Sequence, residues 1–314
     1  MNKQKALNTI KDQRFLLLLI IIVLMVIVGI INPRFLTLGN ITAILQQISV
    51  LGILTMAMAM LLIGGGIDLS MGYNMTLGGI VSGSIIMSGA HPLLGVLAGI
   101  AASTLCGLAN GIIVAKSKAM PLVVTIGTGQ VFFGISLLIS GGAFINFQHK
   151  LNFLREKLLG FLPVMVIVMI IVVFLMFVLL NKTKFGRRVV AIGGNERNAF
   201  LSGITVTKHK IASYTIAGFI VGIAGVVFAA RLNAITALAG SGYETDAMVA
   251  AVIGGVTFEG GRGTVSGAFL GALLTGIISN ALDILGVDAY TKIVISGAII
   301  VTAVVVSSTG KRRN

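Results

Sequence analysis

From one end to the other, the chain repeats uncharged apolar runs of about 20 residues, such as "FLLLLIIIVLMVIVGII" near the start and "VMVIVMIIVVFLMFVLL" in the middle. A bilayer core roughly 30 Å thick needs a helix of about that length. Away from water, the backbone of such a run is satisfied only inside a helix or a closed barrel. Charged residues are 10% of the 314, far below the roughly 25% of soluble domains, and no soluble domain of useful size is left between the runs. The expected fold class is all-α, a polytopic integral membrane protein forming one domain over residues 1–314. The 41 glycines fit that reading, because small residues let membrane helices approach closely.

The net charge of +14 does not point to nucleic acid, since Lys and Arg fall at the ends of apolar runs rather than in one patch with interleaved aromatics. They read as topology signals facing membrane lipid and cytoplasm. The start has the basic, then apolar, pattern of a signal peptide. Its apolar run is long, however, and "NPRFLTLGN" follows without a small-residue cleavage site, so a retained first span is expected. Lys3, Lys5, Lys11 and Arg14 put that terminus in the cytoplasm.

The next spans are expected at 41–63, 74–89, 93–115, 120–140, 161–180, 211–230, a short one at 247–256, then 264–282 and 290–305. The count is about ten helices with both termini cytoplasmic. Between the fifth and sixth spans, Leu151, Leu154, Leu158 and Leu159 read as a short amphipathic segment at the outer interface. The loop at about 181–210 carries seven Lys or Arg against the single acid Glu196, the most positive stretch of the chain.

Two places break this pattern. "LLIGGGIDLSMGYNMTLGGIVSG" carries Gly64, Gly65 and Gly66 before Asp68, and "AAVIGGVTFEGGRGTVSGAFLGALL" carries Gly254 and Gly255 before Glu259. In each, an apolar helix reaches grouped glycines, then an acid, then a helix with spaced glycines. Paired broken segments point to a transporter's working centre, and ionisable groups near membrane depth face a pathway or a partner. The alternative is a turn at the end of a span, with Asp68 capping the next helix. Candidates for lining a pathway are Asp68, Ser70, Asn74, Thr125, Asn233, Glu259 and Arg262, with Gln130 and Tyr214 as further polar groups in the spans. At equal membrane abundance, Gly255→Val is expected to damage transport more than Gly222→Val, because Gly255 lies in an expected helix break and Gly222 in an ordinary packed span.

No other chemistry stands out. Cys106 is alone and reads as a packing residue, and His91, His149 and His209 fall in expected loops without metal-ligand spacing. No nucleophile and base pair is evident, and "GLANG" and "SGSII" read as packing stretches. The sequence has no G-x-x-x-x-G-K-[ST], so it carries no phosphate-cradling loop of its own. An ion-coupled secondary transporter of a small polar solute is the rival reading, but it needs intramembrane carboxylates or histidines, and there are only nine acids.

Several long motifs, "GGIDLSMG", "PLVVTIGT", "GRRVVAIGGNERNAFLSGITVTKHKI", "GSGYETDAMVAAVIGGVTFEGGRGTVSGAFLGALL" and "LDILGVDAYTKIVISGAII", occur in order over nearly the whole chain. Together they resemble the permease subunits of ribose-type ABC importers. The resemblance implies a subunit of the bacterial cytoplasmic membrane that pairs with a second permease copy or paralogue. It implies delivery of a monosaccharide by an extracytoplasmic binding protein and energy from a cytosolic ABC ATPase that binds the ATP, with no cofactor in this chain. It also places ATPase coupling at Asn195, Glu196, Ala199, Leu201, Ser202 and Gly203. The family pattern often has two adjacent alanines where this chain has Asn198 before Ala199. Gly203, after "AFLS", is placed to end a short helix in the left-handed conformation.

Overall fold

The computed structural model describes residues 13–117, 119–158, 160, 162–288, 290–295 and 297–298. Its helices are α1 (Gln13–Ile31), α2 (Leu38–Ile63), α3 (Met71–Met87), α4 (Pro92–Lys116), α5 (Pro121–Ser140), α6 (Val164–Lys182), α7 (Lys184–Gly194), α8 (Glu196–Leu201), α9 (Val206–Leu232), α10 (Tyr243–Ile253) and α11 (Val265–Ile284). Seven of them, α1, α2, α4, α5, α6, α9 and α11, are long and apolar enough to cross a membrane. The chain is a multi-pass membrane protein.

Against the ten expected spans, α3 has 17 residues and α10 only 11. An 11-residue helix rises about 16 Å, roughly half of a bilayer core. Half of the tenth expected span, 290–305, lies outside the described residues, as do Lys3, Lys5 and Lys11.

Burial follows the hydropathy of each face. Helix α2 is apolar all round, and every residue from Ile48 to Ile63 is buried, which makes it the central post of the bundle. Helices α1, α5 and α6 keep long apolar side chains exposed, including Ile22, Val26, Leu138, Ile170 and Phe174, on surfaces that only lipid or another apolar body would cover.

Helices α3, α4 and α9 pack through glycine. A Cβ at Gly218 would lie 2.8 Å from the Cα of Gly107, and one at Gly111 would lie 2.9 Å from the Ile211 carbonyl oxygen. Gly222 belongs to the same crossing, where a Cβ would stand 2.7 Å from the Cα of Ile100. It lies in a packed span, as expected, and the packing there is of backbone on backbone.

Four two-residue strands complete the fold on one face of the bundle. Strand β1 (Ile145–Asn146) pairs antiparallel with β4 (Ala234–Ile235), and β2 (Lys157–Leu158) with β3 (Leu162–Pro163). The expected amphipathic segment is absent from this stretch. Leu151 and Leu154 are buried in the core around a 3-10 turn (Asn152–Leu154), whereas Leu158 is exposed in β2 and Leu159 lies outside the described residues. The leucine spacing reflects tertiary burial rather than a surface helix.

The opposite face carries α7 and α8. Thr183 caps α7, its hydroxyl accepting from the Gly186 N–H at 3.2 Å. Gly186, Val189 and Ile192 are buried along one side, while Lys184, Arg187 and Arg188 point outward, the arrangement of a helix lying at an interface. Of the histidines expected in loops, His209 is placed differently and His91 is where it was expected. His209 is buried in the first turns of α9, its Nδ1 2.8 Å from the Thr205 carbonyl oxygen, and His91 caps α4, its Nδ1 accepting from the Leu93 N–H at 3.2 Å.

Candidate functional site

The first glycine loop begins where α2 runs out. Gly65 takes φ +74°, a left-handed conformation open to glycine without strain, and the chain turns back toward α3. Asp68, three residues on, is 2% exposed. Its Oδ1 accepts the Ser70 N–H at 2.9 Å and the Ser70 hydroxyl at 2.5 Å, and its Oδ2 accepts from Asn110 Nδ2 at 3.2 Å. Asn110 Nδ2 also lies 2.8 Å from Ser70 Oγ.

Two helices pin the backbone of the same loop. The Leu69 N–H donates to Thr125 Oγ1 on α5 at 3.1 Å, and the Tyr214 hydroxyl on α9 donates to the Ile67 carbonyl at 2.8 Å. One turn further on, Asn74 Nδ2 donates to the Ser103 carbonyl at 3.2 Å, and Ser103 Oγ returns a bond to the Asn74 carbonyl at 3.1 Å. The structure thus gathers Asp68, Ser70, Asn74 and Thr125 from the sequence reading into one buried network inside the subunit. Both earlier readings of Asp68 meet a third geometry, a carboxylate that locks a loop against α4.

The second loop is built without such a lock. After α10, Gly255, Gly260, Gly261 and Gly263 all take positive φ, and the Thr257 N–H donates to the Arg262 carbonyl at 3.2 Å to close a turn. Glu259 and Arg262 are exposed on it. Gly254 packs on α11, where a Cβ would fall 2.6 Å from the Cα of Ala268. Asn233 is far from both loops. It ends α9 in the left-handed conformation and its Oδ1 accepts the His149 N–H at 2.9 Å, fastening the strand-bearing face.

The coupling candidates form one compact unit. Asn195 caps α8, accepting the Asn198 N–H at 2.9 Å, and Gly203 ends it with φ +80°. The Ile204 N–H reaches the Ala199 carbonyl at 3.1 Å and the Gly203 N–H the Phe200 carbonyl at 2.9 Å, the paired bonds of a left-handed helix stop. Ala199 is buried against Ile192 and Val206, and Glu196 pairs with Lys210 at 2.6 Å. Ser202 donates back to the Asn198 carbonyl at 2.9 Å. Beside the exposed Arg197 and Asn198, the end of α8 leaves two apolar side chains outward, Phe200 and Leu201, 68% and 73% exposed.

Sequence reasoning missed Asn110, which lies in the "GLANG" stretch set aside as packing, and Glu244 at the start of α10. Glu244 Oε1 accepts the Gly242 N–H at 3.2 Å, while its other oxygen is enclosed beside Gly72 without a hydrogen-bond partner. An amide among small residues on an otherwise apolar helix is the signal that could have found Asn110.

The comparisons with known proteins agree over almost the same length. A family model described as "Branched-chain amino acid transport system / permease component" matches residues 40–304. The chain is similar to the ribose import permease of Bacillus subtilis (strain 168), 37% identical over 285 residues covering 89% of this chain and 88% of the relative. It is 38% identical over 282 residues to the D-allose transport system permease of Escherichia coli (strain K12), covering 88% of this chain and 86% of that one. The ribose import permease of the same strain is 35% identical over 90% of this chain and 89% of its own. No solved structure matches. With the family model and these relatives covering most of its length, this chain belongs to the transport-system permease-component family.

Proposed function

We propose that this chain is the membrane-spanning permease subunit of an ATP-driven importer of a ribose-like monosaccharide, forming the translocation pathway and coupling to a separate ATPase through α8. The similarity to ribose and allose permeases over 88–90% of the chain carries this reading. Its motifs run through both glycine loops and through α8. The family model's own description names branched-chain amino acids, so leucine is the rival solute to test beside the sugars.

In this reading the α8 face is cytoplasmic, as the seven Lys and Arg of the 181–210 loop favour, and both termini lie on that side. The spans number ten when α3, the half-length α10 and the segment at 290–305 are included. The strand-bearing face receives the sugar-loaded binding protein, and a second permease copy or paralogue completes the pathway. ATP is bound by the partner ATPase, and the apolar tip of α8, Phe200 and Leu201, supplies the surface that enters it.

Uptake of labelled D-ribose, D-allose and leucine is measured in cells carrying the permease with its ATPase and binding protein, and in cells lacking the permease. Permease-dependent uptake of a sugar is expected; uptake of leucine alone would replace the substrate class. Gly203→Val tests the coupling role. A valine at φ +80° costs about 1 to 2 kcal/mol and loosens the end of α8. The ATPase should co-purify in lower yield, with uptake reduced to match, while the permease accumulates normally. Undiminished co-purification and uptake would remove α8 as the docking element.

A further inference from the structure

Three chain segments that are remote in sequence meet on the α8 face with no side chain between them. The Gly261 N–H donates to the Ile63 carbonyl at 2.8 Å, tying the second glycine loop to the end of α2. Gly193, in the last turn of α7, packs directly onto that bond: a Cβ there would collide with the Ile63 carbonyl oxygen and stand 2.7 Å from the Gly261 nitrogen. A Cβ at Gly260 would lie 2.7 Å from the Gly193 carbonyl oxygen and 2.9 Å from the Cα of Gly65. One at Gly261 would lie 2.6 Å from the Cα of Gly194, and one at Gly65 would lie 3.3 Å from the Cα of Gly193. Gly65, Gly260 and Gly261 also carry φ of +74°, +84° and +72°, conformations that glycine holds without strain.

The position of this junction gives it a use. Helix α8 begins two residues after Gly194, with only its cap Asn195 between. On one side Gly65 leads in three residues to Asp68 and its bonds to α4, with Thr125 and Tyr214 holding the neighbouring backbone. On the other side Gly260 and Gly261 are continuous with the turn that joins α10 to α11. A contact made through flexible side chains absorbs a small displacement by changing rotamers. Backbone packed on backbone cannot, so the end of α7 and the two loops must shift together or separate.

From this geometry we infer that the junction of Gly65, Gly193, Gly260 and Gly261 is the link through which a displacement of α8 reaches both glycine loops at once. The inference rests on the reading of α8 as the ATPase-docking element. It assigns these glycines a positioning role: they bind no solute, and they keep the two broken segments in register with the docking helix. A side chain inserted here should leave the ATPase docked and uncouple it.

The test uses the assembled transporter, reconstituted with its ATPase and with binding protein loaded with D-ribose as the probe. Gly193→Ala is the strong wedge and Gly65→Ala the mild one. Gly194→Ala is the control in the same helix, where a Cβ meets nothing within 4 Å. Gly89→Ala controls for backbone strain alone, with φ +94° and equally open space. Both wedges should co-purify with the ATPase in normal yield and hydrolyse ATP at the basal rate. Stimulation by loaded binding protein should fall about tenfold for Gly193→Ala and less for Gly65→Ala, with the two controls unchanged. Where Gly193→Ala fails to accumulate in the membrane, Gly65→Ala decides. Stimulation of Gly65→Ala equal to that of Gly89→Ala would overturn the link while leaving docking in place, provided Gly203→Val still lowers co-purification. If Gly203→Val leaves co-purification intact, the docking reading fails and the link fails with it.

Discussion

The two glycine loops share one sequence plan and treat their acids in opposite ways. Asp68 is enclosed, with both carboxylate oxygens taken by Ser70 and Asn110. Glu259 is exposed on a turn made by backbone bonds. The difference comes from the neighbours. Helices α4, α5 and α9 close over the first loop, each contributing one polar side chain, whereas the second loop meets α11, α2 and the end of α7 through glycine and backbone. An acid after paired glycines therefore has no fixed meaning: the helix that packs over it decides whether it becomes a lock or a surface charge.

The largest expected effect is at the lock. Asp68→Ala leaves the Ser70 N–H, the Ser70 hydroxyl and Asn110 Nδ2 buried without that acceptor, and since each buried group left unsatisfied costs about 1 to 3 kcal/mol the loss should exceed that of any single bond here. Glu259→Ala, at an exposed position, should cost no more than about 1 kcal/mol. Thermal unfolding of the two purified variants, with membrane abundance measured beside it, compares them directly. Similar melting of both would break the distinction between the loops.

Next come the glycines themselves. Gly255→Val carries a backbone cost of about 1 to 2 kcal/mol at φ +90°, but the atoms its Cβ would meet are the far end of the Gln13 side chain, which can turn aside at the loss of one exposed bond to the Ile253 carbonyl. Gly222→Val meets the Cα and carbonyl oxygen of Ile100 at 2.7 and 3.0 Å, and neither can swing aside. Overpacking of that kind costs about 1 to 3 kcal/mol and here forces α4 and α9 apart. Gly222→Val should therefore unfold at the lower temperature. A lower melting point for Gly255→Val would show that the helix break is the more demanding site.

That contrast marks how far the sequence was legible. Run length and hydropathy located the long helices, and the run of Lys and Arg marked the connecting stretch in which α7 and α8 lie, because lipid burial acts on local composition. The stop at Gly203 was legible for the same reason, being set within six residues. Long-range pairing was not. Nothing local connects Asp68 with Asn110, 42 positions apart, or Gly193 with Ile63 and Gly261, and an apolar helix looks the same whether its glycines face lipid or another backbone. The leucines at 151 and 154 failed in the same way, since spacing records burial but not what does the burying.

The smallest effect gives the sharpest contrast. Tyr214 fixes the first loop from α9 by one hydrogen bond to the Ile67 carbonyl, and its ring is 2% exposed. Tyr214→Phe keeps the ring and removes only that bond, so about 1 kcal/mol of stability should be lost. Asp68 and Tyr214 restrain the same stretch of backbone from two helices. Once either is released the other holds a looser loop, so Asp68→Asn combined with Tyr214→Phe should depart from additivity by about 0.5 kcal/mol or more. The matching pair in the second loop is Thr257→Val with Glu259→Ala. The Thr257 hydroxyl donates to the Gly260 carbonyl at 3.2 Å within the turn itself. Those two changes should add within about 0.3 kcal/mol. Additivity in the first loop would mean that the α4 and α9 contacts act independently, and the lock would then be a set of separate bonds rather than one element.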